Sequence, residues 1–283
     1  MAVARHGSGP GATLGAMASQ IHPVFMLPPV ATTWFGGILA GGTAFWPAIF
    51  HTIAIFAAVY TAHVKDGYVD FHVRSEDDDH PLTARGCQLC LYSATVLFGA
   101  ALVGLWVTVG WGAVALTAPT WIIGYLHAPQ LDMHLLGATM GYPIGIGLAL
   151  LGGYYVQSAA LGVRPFAFAC VFVVLLTGIK IIDDSQDVRY DRSIGKPTVA
   201  VVLGASRGRM VATGLIAAAS LLVIGFVLLG VFPASALLAA LTLLGLLGIS
   251  HGRGPITATA LLIRGSYVFF ALLLVAVWME FLR

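Results

Sequence analysis

The chain has 283 residues, of which 59% are hydrophobic and 9% charged, and its mean hydropathy is +0.92. Soluble domains carry roughly 25% charged residues, so the composition excludes an ordinary water-soluble globule, and its hydrophobicity excludes disorder. A formal net charge of +2 with no basic patch interleaved with aromatics argues against a nucleic-acid partner. The apolar stretches are continuous rather than alternating, which argues against a transmembrane β-barrel.

Residues 1–21 are rich in Gly, Ala and Ser around Arg5. They lack a compact apolar core ending at a cleavage site, so they read as a retained N-terminal tail. A spanning helix needs about 20 apolar residues. The gaps from Arg5 to Lys65, Arg85 to Asp132 and Arg209 to Arg253 contain no Asp, Glu, Lys or Arg and hold two spans each, while residues 133–163 hold one. The expected fold is therefore all-α: a polytopic membrane protein of nine transmembrane helices. The spans fall at about 23–42, 45–65, 88–109, 111–128, 134–157, 164–183, 209–231, 233–250 and 257–281. Residues 22–283 then form a single membrane domain.

With the N-terminus in the cytoplasm, eleven Lys and Arg fall on the cytoplasmic side, and only Arg164 and Arg283 on the other. That bias sets the orientation. The expected location is the plasma membrane, with tail and acidic loops cytoplasmic.

Of the twelve acids, ten lie in two short windows. The first closes the second span and holds Asp66, Asp70, Glu76, Asp77, Asp78 and Asp79; the second closes the sixth span and holds Asp183, Asp184, Asp187 and Asp191. Asp66 and Asp70 share a helix face, with Arg74 one step further along it. Asp183, Asp187 and Asp191 fall at i, i+4 and i+8, and Asp184 can join them. Like charges at this spacing destabilise a helix, and carboxylates beside a membrane are costly unless neutralised. Such sites suit hard divalent cations, and Mg²⁺ commonly binds one or two carboxylates plus substrate phosphates. Lys65, Arg74, Arg192 and Lys196 suit phosphate oxygens. The windows lie about 121 residues apart with one layout of span, DxxxD, polar loop and span, a weak internal repeat that would set two Mg²⁺ sites across a diphosphate. The run from Glu76 to Asp79 reads as a solvated loop.

The second window, Asp183-Asp-Ser-Gln-Asp-Val-Arg-Tyr-Asp-Arg-Ser-Ile-Gly-Lys-Pro-Thr198 followed by Leu203-Gly204, resembles the second aspartate motif of the UbiA superfamily of intramembrane prenyltransferases. The first window resembles the family's first motif, with Asp66 in an Asn position and Gly67 where Asp is common. His80-Pro-Leu-Thr-Ala-Arg-Gly86 resembles the family's Arg-Pro-Leu-Pro-x-Gly, and His22-Pro23 the Arg-Pro that opens its first span. Gly152-Gly-Tyr-Tyr-Val-Gln157 leans toward the menaquinone-pathway branch, which prenylates 1,4-dihydroxy-2-naphthoate. His80–Gly86 leans toward branches acting on hydroxybenzoate, chlorophyllide or archaeal glycerol lipids.

The resemblance implies a UbiA-type helical bundle, a polyprenyl diphosphate donor, a small lipophilic or aromatic acceptor and Mg²⁺ as cofactor, with no obligate protein partner. Asp66, Asp70, Asp187 and Asp191 would be the catalytic carboxylates and, with Asp183 and Asp184, the metal ligands. Lys65, Arg74, Arg192 and Lys196 would bind the diphosphate. Tyr68, Tyr154, Tyr155 and His134 are candidates to steady an allylic cation or meet the acceptor.

Three other readings compete. An archaeal-type geranylgeranylglyceryl phosphate prenyltransferase differs only in acceptor. A cation-coupled transporter would place some acids near the bilayer midplane, whereas these sit at helix ends. A thiol–quinone oxidoreductase on Cys87 and Cys90 leaves both acidic windows without a role. The loop carrying His127, Asp132 and His134 reads as a plain polar connection.

Overall fold

The computed structural model describes residues 2–42, 44–251, 253 and 255–281. Helices dominate, and among the described residues the only extended pairing is one antiparallel bridge between Ala4 and Leu82. In chain order the helices are α1 (Gly9–Ala18), α2 (Pro23–Leu39), α3 (Phe45–Tyr68), α4 (Ala84–Thr108), α5 (Trp111–Leu126), α6 (Leu135–Ser158), α7 (Val163–Asp184), α8 (Val188–Ser193), α9 (Val199–Leu203), α10 (Ala205–Leu228), α11 (Leu237–His251) and α12 (Pro255–Phe281). Two five-residue π-helical turns, Val69–Val73 and His127–Leu131, extend α3 and α5.

Seven helices among the described residues are long and apolar enough to cross a bilayer. The first and fourth predicted spans are shorter than expected: α2 has 17 residues and α5 has 16. Pro28 and Pro29 lie inside α2 and Pro119 inside α5. The chain turns at Gly41 and at Gly110, both at positive φ. Large apolar side chains stay exposed along the helices, among them Val103, Val107, Leu221, Leu228 and Ile256. Such surface has no place in water but suits lipid. Trp106, Trp111, Phe45 and Trp46 are exposed at the ends of α4, α5 and α3 away from the acids, where aromatic side chains anchor at a membrane interface.

The described chain gathers into two compact units. One comprises Met1–Asp132 with Leu148–Ala160, the other Met133–Gly147 with Leu161–Arg283. In the first, α3 packs against α2, α4 and α5. Small residues allow close approaches in this unit: a Cβ on Gly124 of α5 would lie 2.4 Å from the carbonyl oxygen of Ala58 on α3, and one on Gly153 of α6 2.0 Å from that of Thr33 on α2. The residues predicted as a tail fold against this unit. Arg5 N–H bonds the Pro81 carbonyl, Tyr60 donates to the Met17 carbonyl, and Ala4 and Ala16 are buried with Val64, Leu82, Cys87 and Cys90. In the second unit α10 packs against α7 and α11, and α11 against α12. Phe168 stacks on Phe232, their ring centroids 4.0 Å apart.

Candidate active site

The first acidic window begins on the last turn of α3. There the helix widens: the Arg74 N–H reaches the Val69 carbonyl at 2.8 Å, five residues back. Ser75 then takes a φ of 55°, which folds the chain back so that the Glu76 N–H bonds the Asp70 carbonyl. Asp66 and Asp70 both keep exposed side-chain surface, and His127 Nε2 lies 4.0 Å from Asp66 Oδ1.

Arg74 sits among carboxylates. Its Nη1 donates to Asp132 Oδ2 at 2.9 Å and to Asp70 Oδ1 at 3.5 Å, and its Nε lies 3.8 Å from Glu76 Oε1. Burial opposes its charge, but the hydrogen bond and charge of Asp132, with Glu76 and Asp70, outweigh that and raise the guanidinium above its ordinary pKa. Asp132 is buried, and its Oδ1 has no hydrogen-bond partner. The polar loop expected here therefore carries a buried member of the site. Its signal in the sequence was isolation: Asp132 is the lone charged residue between Arg85 and Arg164.

The run Glu76–Asp79 is not uniformly solvated. Glu76 is tucked beside Arg74, while Asp79 accepts from Arg5 and bonds His6. Asp79 is held below the usual carboxylate range, first by His6, with the His80 N–H and Arg5 adding to it. His80 is depressed by burial, and the His72 ring beside it acts in the same direction.

The second window is built differently. α7 ends at Asp184, the chain turns through Ser185 and Gln186, and Asp187 stands at the N-cap of α8. The i, i+4, i+8 series thus does not run along one helix. Asp187 and Asp191 remain one turn apart through the Asp191 N–H bond to the Asp187 carbonyl, 2.9 Å. Asp183 and Asp187 are exposed, and Asp184 is buried in an ion pair with Lys180. Asp191 is buried and accepts from the Thr198 hydroxyl at 3.2 Å; Thr198 also caps α9 through the Val201 N–H. Burial raises the Asp191 pKa, against the opposing pull of Lys196. Arg192 is exposed and Lys196 half-buried.

The aromatic candidates are elsewhere. A Cβ on Gly112 would meet the Tyr155 hydroxyl at 2.1 Å, which puts Tyr155 at the start of α5, while Asp66 faces His127 just past that helix's end. Tyr154 neighbours it at the same end of α6. Neither is brought to Asp66. Tyr68 packs against the cluster of Val64, Leu82, Cys87 and Cys90, with His72 beside its ring. The cation–π contacts among the described residues involve other rings: Lys65 Nζ lies over Tyr125 at 4.7 Å and the Arg5 guanidinium over Phe71 at 4.3 Å. His134 is exposed and belongs to the second unit.

Among the described residues no three His, Cys, Asp or Glu side chains form a ready-made metal cage. The donor set still fits Mg²⁺, which takes hard oxygens and completes its shell with water and substrate phosphate. Each unit offers such oxygens by itself, the first at Asp66 and the second at the exposed Asp183 and Asp187.

The sequence matches the model of the UbiA prenyltransferase family over residues 29–255. The chain belongs to that family. It is an integral membrane protein of the prenyltransferase class. No curated protein matches the sequence. Solved structures that share this fold include three of varied origin. One, described as digeranylgeranylglyceryl phosphate synthase in membranes, is 14% identical with TM-score 0.74, covering 94% of this chain and 97% of that one. A UbiA homolog from Aeropyrum pernix K1 is 16% identical with TM-score 0.73, covering 90% and 98%. A UbiA homolog from Archaeoglobus fulgidus bound to GPP and Mg²⁺ is 16% identical with TM-score 0.68, covering 94% and 99%.

Proposed function

We propose that this UbiA-family chain transfers a polyprenyl group from an allylic polyprenyl diphosphate to a small aromatic acceptor, releasing diphosphate at the cytoplasmic face of the plasma membrane. The observation that carries the reading is the family match across residues 29–255, which encloses both carboxylate windows. The Archaeoglobus homologs bound to GPP or DMAPP with Mg²⁺ support the donor and the cofactor. The reading takes nine spans, counting α2 and α5 as short ones.

Asp66 and Asp70 in the first window, and Asp183, Asp187 and Asp191 in the second, are the oxygens that would hold Mg²⁺. When bound, Mg²⁺ supplies Lewis-acid neutralisation of the departing diphosphate. Lys65, Arg192 and Lys196 pair with phosphate oxygens and place fixed positive charge where negative charge develops as the allylic C–O bond breaks. Thr198 orients Asp191 by donating to its Oδ2. The apolar helix walls keep water from an allylic cation until the acceptor carbon attacks.

The menaquinone-type acceptor, 1,4-dihydroxy-2-naphthoate, is the first choice. A geranylgeranylglyceryl phosphate acceptor is the second reading, favoured by the likeness to the digeranylgeranylglyceryl phosphate synthase structure. The test is Mg²⁺-dependent diphosphate release by purified protein from geranylgeranyl diphosphate. The acceptors supplied in parallel are 1,4-dihydroxy-2-naphthoate, 4-hydroxybenzoate and geranylgeranylglyceryl phosphate. Release with one acceptor assigns it. No release with any of them, from folded protein that also fails to bind the donor, overturns the reading.

A further inference from the structure

Spacing alone would pair Arg74 with Asp70, four residues earlier on the same helical run, where an acid N-terminal to a base at i+4 is favourable. The structure gives Arg74 a nearer partner. The bond to Asp132 is 2.9 Å, while Asp70 is at 3.5 Å, the outer edge of a hydrogen bond. Asp132 is 58 residues further along the chain, and its side chain is 5% exposed. Burying a charged pair costs desolvation on both sides and is weak evidence for stability. Its effect here is positional. It carries the guanidinium toward the end of the α5 extension and leaves Asp70 with exposed surface.

We propose that Asp132 is a positioning residue: by drawing Arg74 into the shorter bond, it limits the guanidinium to a long contact with Asp70 and leaves the partly exposed Asp70 carboxylate open to a divalent cation. This rests on the transferase reading for its purpose, since it assigns Asp70 to the metal. It also corrects the expectation that Arg74 binds diphosphate. Without Asp132, Arg74 swings onto Asp70 and Glu76 and competes with the cation for the same oxygens.

The test uses the full chain purified in detergent, with Mn²⁺ alone as the probe and free Mn²⁺ counted by electron paramagnetic resonance. Diphosphate release against Mg²⁺ concentration is the second readout. Asp132→Asn should weaken Mn²⁺ binding about tenfold, since a charge-assisted bond to Asp70 has to be displaced. The Mg²⁺ concentration for half-maximal rate should rise in parallel, with kcat at saturating Mg²⁺ little changed. Adding Arg74→Gln to Asp132→Asn removes the competitor and should return Mn²⁺ binding close to that of the native chain. A merely structural Asp132 would not be rescued by deleting its partner.

Native-like Mn²⁺ binding in Asp132→Asn overturns the proposal. So does a double variant as weak as the single one, or a native chain that turns over without binding Mn²⁺. If Asp132→Asn does not fold, Arg74→Gln alone decides: it must bind Mn²⁺ at least as tightly as the native chain, and weaker binding overturns the proposal. The expected Mn²⁺ pattern with no diphosphate release from any donor and acceptor pair would sink the transferase reading and leave the role of Asp132 standing.

Discussion

Asp184→Ala should be the most destabilising single change in the second acidic window. Asp184 and Lys180 pair four residues apart on α7, with Asp184 5% exposed and Lys180 29% exposed. A base N-terminal to an acid is the poorer orientation on an isolated helix, so the pair owes little to the helix itself. Its weight comes from burial. Removing one partner of a buried pair costs about 3–5 kcal/mol, because the other charge stays behind uncompensated. The residual exposure of Lys180 puts this case near the lower end, about 3 kcal/mol. A lysine forced to the centre of a bilayer costs about 2.5–3.5 kcal/mol, an upper limit for a residue in the last turns of α7. The double variant Lys180→Met/Asp184→Leu keeps the volume and removes both charges, so it should recover most of the loss. Equilibrium unfolding in mixed micelles, followed by circular dichroism, measures both variants. A loss below about 1 kcal/mol in Asp184→Ala, the range of an exposed ion pair, would refute the reasoning, as would a double variant no more stable than the single. We expect the double variant to keep turnover, which would assign Asp184 to the fold and leave the cation to its neighbours.

Asp187→Ala should abolish diphosphate release while leaving unfolding within about 0.5 kcal/mol of the native chain, as expected of an exposed side chain outside any special interaction; Asp187 makes no capping hydrogen bond to α8. A stable, fully active variant would remove its metal role. The pH dependence follows from Asp191, whose folded-state pKa is raised by burial. The fold therefore holds this proton more tightly than the unfolded chain does, and the contribution favours the fold at low pH and is lost as pH rises through the folded-state value. Cation binding needs the deprotonated form, so Mg²⁺ should release a proton and the acidic limb of kcat/KM should lie above the ordinary aspartate value of about 3.9. A limb at that value, or one unchanged in Asp191→Asn with residual activity, would contradict it. Gly153→Ala should destabilise by about 1–3 kcal/mol, the range for forcing extra volume into a packed interior, since its Cβ would lie 2.0 Å from the Thr33 carbonyl oxygen. Gly145→Ala on the same helix meets nothing within 4 Å and should be neutral or slightly stabilising in the same unfolding assay.

Much of the candidate site was legible because acids are scarce here. A carboxylate in a chain that is 9% charged needs a reason to be present. The two windows were therefore visible, and the stretch from Asp183 to Thr198 in the second resembles a family motif. Asp132 was the exception. It stands alone in its stretch, and nothing local reveals that a partner 58 residues earlier would claim it. The same limit explains Tyr154 and Tyr155. Their chemistry suits a cation, but the direction of α6 carries them to the Gly112 end of α5. The expectation of one layout for both windows failed on backbone detail, since α3 continues through a π-helical turn while α7 stops. Periodicity cannot separate those cases, because a widened turn and a break both keep acids four residues apart in sequence.

The sequence by itself determined the membrane class, the helical elements, the family and the two carboxylate clusters, because hydropathy, charge spacing and local motifs are written residue by residue. The tertiary structure decided which side chains the buried carboxylates meet. Lys180 pairs with Asp184, Arg74 bonds Asp132 more closely than Asp70, and the Thr198 hydroxyl donates to Asp191. Those pairings depend on which side chains lose water together when helices pack, and burial raises the cost of an unpaired charge enough to fix the partner.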